Sequence, residues 1–198
     1  MGRTRKLFPI YGSALANNLL AAVGRGGAVH DFVAGYENRY RRPGILGSAG
    51  RERELVDTMG REIILAMIVE VHHTLPRFFG KTKLEKLKED EKKAVDAFES
   101  ELFAALGRAW DWQEEDRSRF GHDLTLYSDF AARRISAGKT KNKRRKLAPE
   151  EPPFVGRVAL LLDPSMMEQA RRASAKFHGE LARMAQKLLR QTLRPGGR

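Results

Sequence analysis

Apolar residues recur at helical spacing over most of this chain. Ala14 to Val23 makes a short apolar block closed by Gly24, and Gly24, Gly26 and Gly27 mark a turn. A second helix is expected from about Ala28 to Arg41, with Val29, Phe32, Val33 and Tyr36 on one face, ended by Pro43-Gly44. A third runs from near Arg51 to before Pro76. Leu55, Met59 and Ile63 lead into nearly continuous apolar positions as far as Val71, and a helix apolar on all sides must be surrounded by others. Thr82 to Lys93 alternates Lys with Glu or Asp, the pattern of a solvated helix face supported by i,i+4 pairs. The same helix then turns amphipathic through Val95, Phe98, Leu102, Ala105, Leu106 and Trp110. A further short helix is expected from Leu124 to Ile135.

The pattern breaks after Ile135. Residues 136–146 contain no acid and few apolar side chains, and Ala148-Pro149-Glu150-Glu151-Pro152-Pro153 follows, an extended and stiff composition. We read three regions: a helical domain over 1–135, a basic and Pro-rich linker over 136–153, and a small C-terminal unit over 154–198.

In that last unit the period changes to two. Val158, Leu160 and Leu162 alternate with Arg157, Ala159 and Leu161, which predicts a strand. Asp163 suits a helix cap and Pro164 a first helical position. One helix then places Met166, Ala170, Ala173 and Phe177 on a face and stops at His178-Gly179. A second turns Leu181, Met184, Ala185, Leu188 and Leu193 inward, and Arg183, Lys187 and Arg190 outward. The expected fold class is therefore mainly α: a helical bundle, a basic linker and a strand-helix-helix unit.

The Arg-Val-x-Leu-x-Leu-Asp-Pro strand, the first helix ending near a glycine and the Leu-x-x-Met-x-x-x-Leu-Leu second helix resemble the ribbon-helix-helix family of DNA-binding proteins, of the Arc and MetJ type. The resemblance covers 156–193. It implies self-association through those residues, with two strands forming a ribbon in the major groove. Arg157, Ala159 and Leu161 would then face DNA, of which only Arg157 can donate hydrogen bonds. The backbone of Glu180 and Leu181 would lie near a phosphate. The alternative is a tail that packs on the N-terminal helices or on a partner.

Charge sharpens this picture. The chain has 198 residues and a net charge of +12, which favours a polyanionic partner, nucleic acid before an acidic membrane surface. Lys139, Lys141, Lys143, Arg144, Arg145 and Lys146 form a cationic arm of the kind that follows a phosphate backbone without reading sequence. Arg39, Tyr40, Arg41 and Arg42 form a second patch, in which Tyr40 is placed to stack on a base or to serve as a helix-surface residue. The absence of cysteine excludes disulfides, thiolate metal sites and cysteine nucleophiles. The longest apolar run, Ile63 to Val69, is too short to span a bilayer, and the N-terminus makes a poor signal peptide, so a cytoplasmic protein without a membrane partner is expected.

Enzyme motifs fail on spacing. Ala137-Gly138-Lys139-Thr140 resembles the end of a phosphate-binding loop, but Arg133 stands where its first glycine belongs. Glu70-x-x-His73 has the spacing of one arm of a di-iron site without a second arm, and adjacent His72 and His73 diverge by about 100° on a helix. His122-Asp123 lacks a nucleophile. We expect no catalysis, no cofactor and no metal. The expected function is nucleic-acid binding, DNA favoured over RNA. The second reading is a helical subunit of a ribonucleoprotein complex, with basic faces lining a nucleic-acid channel and a tail docked on a neighbouring protein.

Overall fold

A computed structural model describes residues 8–24, 27–45, 47, 49–137 and 151–193, and among these it is helical with no strand. Seven α-helices follow in order: α1 Ile10–Val23, α2 Ala28–Tyr40, α3 Ala49–Phe78, α4 Glu89–Ala109, α5 Glu114–Ala137, α6 Pro153–Leu162 and α7 Met167–Leu193. Short 3-10 turns at Leu84–Lys86 and Pro164–Met166 precede α4 and α7.

The apolar pattern explains the arrangement. Helix α3 is the central element, and its Met59, Ile63, Ile64, Met67 and Leu75 are fully buried. Helices α1, α2, α5, α6 and α7 all pack on it, as an all-round apolar surface requires. Helix α1 lies against α4 so closely that a Cβ on Gly12 would come within 2.3 Å of the Phe98 carbonyl oxygen. Ser13 donates to Glu101 across this contact, and Arg108 holds the same carboxylate at 2.9 Å. Both bonds keep the Glu101 carboxyl below the usual range. Helix α4 starts later than the Lys/Glu alternation suggests, because Lys88 N–H donates to the Glu91 carboxylate at 2.8 Å and sets the start there. Helix α5 starts ten residues before the expected position. Glu114, Glu115 and Asp116 in its first turn complement the helix dipole.

The C-terminal region differs most from expectation. Residues 153–162 are a helix, so the predicted strand and the ribbon-helix-helix resemblance are both overturned. Pro153 is the first residue of α6, a position where proline loses no hydrogen bond. Phe154, Val155, Val158, Ala159 and Leu162 are buried, the i, i+1, i+4, i+5, i+8 pattern of a helix face. Leu160, an inward residue of the expected strand, is 59% exposed, and Ala159, an outward one, is fully buried. His178-Gly179 does not interrupt α7, which is one 27-residue helix. Its buried stripe is Ala170, Ser174, Phe177, Leu181, Ala185, Leu189 and Thr192. Residues of α6 and α7 share one continuous buried cluster with those of α1 to α5.

Candidate nucleic-acid interface

The three residues expected to face DNA from a ribbon do not form an outer surface. Arg157 points inward from α6 and is bonded to two carboxylates, Asp123 of α5 at 2.7 Å and Glu62 of α3 at 3.2 Å. Its guanidinium lies 5.8 Å from the centroid of Tyr127, whose hydroxyl donates to Glu62. The Asp123 hydrogen bond, and the charge of Glu62, raise the Arg157 pKa despite partial burial. Burial and the charge of Glu62 also drive the Tyr127 phenol far above its ordinary range. Ala159 is enclosed and Leu161 is half-buried. Arg157 therefore ties α6 to α3 and α5. It also engages Asp123, the acid of the His122-Asp123 pair.

A second polar joint connects α2 to the corner between α6 and α7. Asp163 caps the turn by accepting from Ser165 N–H at 3.1 Å. Arg42 Nε donates to Asp163 at 3.0 Å, and the Tyr36 hydroxyl reaches the same carboxylate at 3.4 Å. Burial pushes the Asp163 carboxyl up, but the hydrogen bonds from Ser165 and Arg42 outweigh it and leave it below the usual range. The Tyr36 phenol is pushed up to about 12 by burial and by the Asp163 charge. Arg42, counted in the second basic patch, is thus committed to this joint.

The outer face of α7 has the opposite character. At about 100° per residue, Arg172, Lys176, Arg183, Lys187 and Arg190 fall within one narrow sector, opposite the buried stripe. All five are exposed. The row extends for about 27 Å along the helix. Arg172 pairs with Glu168, and Lys176 lies 4.0 Å from Glu180. Arg183 Nε donates to the Gly179 carbonyl at 3.4 Å. The sequence reading had placed Arg183 and Lys187 on this face but assigned the helix to a dimeric ribbon unit. Only a continuous α7 aligns them with Arg172 and Lys176.

Helix α2 meets the same end of α7. Phe32 stacks on Phe177 with centroids 4.2 Å apart, and Arg39 and Tyr40 line a groove with Arg172 and Lys176. The fold thus brings together two cationic patches more than a hundred residues apart in sequence. Lys139, Lys141, Lys143, Arg144, Arg145 and Lys146 lie outside the described residues, as does most of the phosphate-loop-like stretch.

A cleft of about 670 Å³ opens among α3, α5, α6 and α7. Glu70 there is engaged by Gln186 at 2.6 Å and by Thr74 at 3.4 Å. His73 Nε2 is buried without a partner, and burial, followed by the neighbouring His72, lowers its pKa, which favours the neutral ring. His72 instead bonds Glu99 at 2.6 Å, which raises its pKa. Among the described residues no three His, Cys, Asp or Glu side chains converge in a way that could hold a metal ion, and no helix is long and apolar enough to cross a membrane.

No protein-family model, curated protein or solved structure matches this chain.

Proposed function

We propose that the protein binds nucleic acid by its phosphate backbone, along the outer face of α7, as a helical subunit of a nucleoprotein assembly. The observation that carries this reading is the alignment of Arg172, Lys176, Arg183, Lys187 and Arg190 on one exposed face of a helix whose other face lies in the core. Such a row is rigid, so it meets a polyanion without ordering a flexible chain first. Each phosphate contact releases counterions and makes affinity fall with salt. The six cations between Lys139 and Lys146 add contacts of the same sequence-independent kind.

The preference for duplex DNA rested on the ribbon, as did self-association through 156–193. The described residues offer no strand to enter a major groove. What supports the second reading, a basic helical face in a nucleoprotein complex, does not depend on one.

A competition between duplex DNA and single-stranded RNA at two salt concentrations tests the proposal. Both ligands should bind more weakly at the higher salt. Arg183→Ala combined with Lys187→Ala should reduce the slope of log affinity against log salt by about 1.8 for duplex and about 1.4 for single strands. An unchanged slope, or no binding to either ligand at low salt, overturns the proposal.

A further inference from the structure

We infer that the groove between α2 and α7 seats a base of single-stranded nucleic acid on the ring of Tyr40, an inference that rests on the reading of α7 as a phosphate-binding face. The groove encloses about 490 Å³, room enough for a nucleobase and its sugar. It adjoins the N-terminal half of the α7 cationic row, and Arg172 and Lys176 belong to both. A strand whose phosphates follow the row therefore passes the groove mouth.

The lining suits a base better than a phosphate. Tyr36 is buried and its hydroxyl is held by Asp163, so it forms the support. Tyr40 packs on it at 4.8 Å between centroids and remains half-buried. The Arg39 guanidinium lies 5.7 Å from the Tyr40 centroid, and its exposed side chain can move aside or cover a stacked base. Asp31 and Glu180 also line the groove. Their carboxylates repel a phosphate and accept hydrogen bonds from base N–H groups, such as the N3–H of uracil and thymine. Rings, flanking cations and acceptor groups together match a single strand with splayed bases. A duplex keeps its bases stacked and cannot supply one.

Gly35 makes the inference testable without damage to the fold. It sits on α2 in the groove lining, and a Cβ added there meets nothing within 4 Å. Gly35→Leu should fill the groove while improving the helix propensity of α2. The experiment uses the full chain, with oligouridylate and oligodeoxythymidylate each carrying one 2-aminopurine, and duplex DNA for comparison. Gly35→Leu and Tyr40→Ala should each lower single-strand affinity about tenfold, the effect of losing one base–aromatic contact. The salt slope and duplex affinity should hold. The 2-aminopurine fluorescence should be quenched by the native protein and by Tyr40→Phe, and not by the other two variants. Single-strand binding that survives both variants with quenching intact overturns the groove site and leaves the α7 reading standing. Polyglutamate that displaces the oligonucleotides as well as unlabelled oligouridylate does overturns the base-stacking assignment. Failure of all nucleic acids to bind at low salt removes the α7 reading and this one with it.

Discussion

Helices α6 and α7 are neighbours in sequence and pack on each other, yet they use their cations in opposite ways. Helix α6 is ten residues long, with one charged side chain, Arg157, and that side chain is turned inward to Glu62 and Asp123. Helix α7 is 27 residues long and strongly two-faced, with its cations outward and, among the described residues, two of the five in its row paired with nearby acids. The difference follows from how much apolar surface each helix must cover. Half of α6 is buried, including Phe154, Val155 and Val158, so a charge on that helix is drawn into a joint between helices and must find partners there. The apolar stripe of α7 occupies one side only, which leaves the opposite side to water. A basic residue in this protein is therefore read by the face it shares, and net charge alone does not separate the two uses.

Five variants break or sharpen this contrast. The largest effect is expected for Ala159→Glu, which places a carboxylate without a partner at a fully buried position of α6. It should cost about 4 kcal/mol or more in urea unfolding, and a loss under about 1 kcal/mol means that α6 does not pack on this face. Arg157→Ala comes next, at about 3 kcal/mol, the low end for a broken buried pair because Arg157 is about a third exposed and water partly compensates the two carboxylates it leaves. The nucleic-acid affinity of the folded variant should match the native protein. A drop in affinity without a loss of stability would give Arg157 the same role as the α7 row.

The joint between the two helices gives a smaller and pH-dependent effect. Asp163 has a folded-state pKa below its unfolded value, so its contribution is present above the ordinary carboxylate range and is lost as pH falls through the depressed value. Asp163→Asn should therefore lower stability by about 1 kcal/mol near neutral pH, reduced from a fully buried charged bond because Arg42 is half in water. The gap between variant and native protein should close as the pH falls below the ordinary carboxylate range and through the depressed value. A gap that widens with acid would contradict the assigned pairing. The smallest effect belongs to Leu160→Lys, which should stay within about 0.5 kcal/mol, since Leu160 faces solvent. The Arg183→Ala, Lys187→Ala double variant should be similarly stable, so its loss of binding cannot be ascribed to unfolding.

Much of the fold was legible along the chain. The α1, α2 and α3 segments are read from apolar spacing and breaker residues, although α1 starts four residues before the expected Ala14 and α3 runs through Pro76, its expected stop, to Phe78. The all-round burial of α3 between Ile63 and Val69 follows from its composition. The C-terminal region misleads because Val158-Ala159-Leu160-Leu161-Leu162 satisfies both a period of two and part of a helical stripe, and five or six apolar residues cannot separate them. Phe154 and Val155 resolve the choice, but they precede the alternating residues from Arg157 to Leu162 that predicted the strand. Gly179 likewise read as a stop, although it lies on the exposed face of α7, where a glycine costs helix stability without ending it. Arg183 and Lys187 were visible as outward residues. Their alignment with Arg172 and Lys176, and the approach of Tyr40, were not.

From the sequence alone came the mainly helical class, the central helix and the excess of positive charge, because these depend on composition and on spacing within one element. The tertiary structure decided which cations tie helices together and which face solvent. Pairing of Arg157 with Glu62 and Asp123, or of Arg42 with Asp163, spans 34 to 121 residues of chain. No local period records such a contact, since it arises only when separate apolar faces pack and bring their few charges to the same joint.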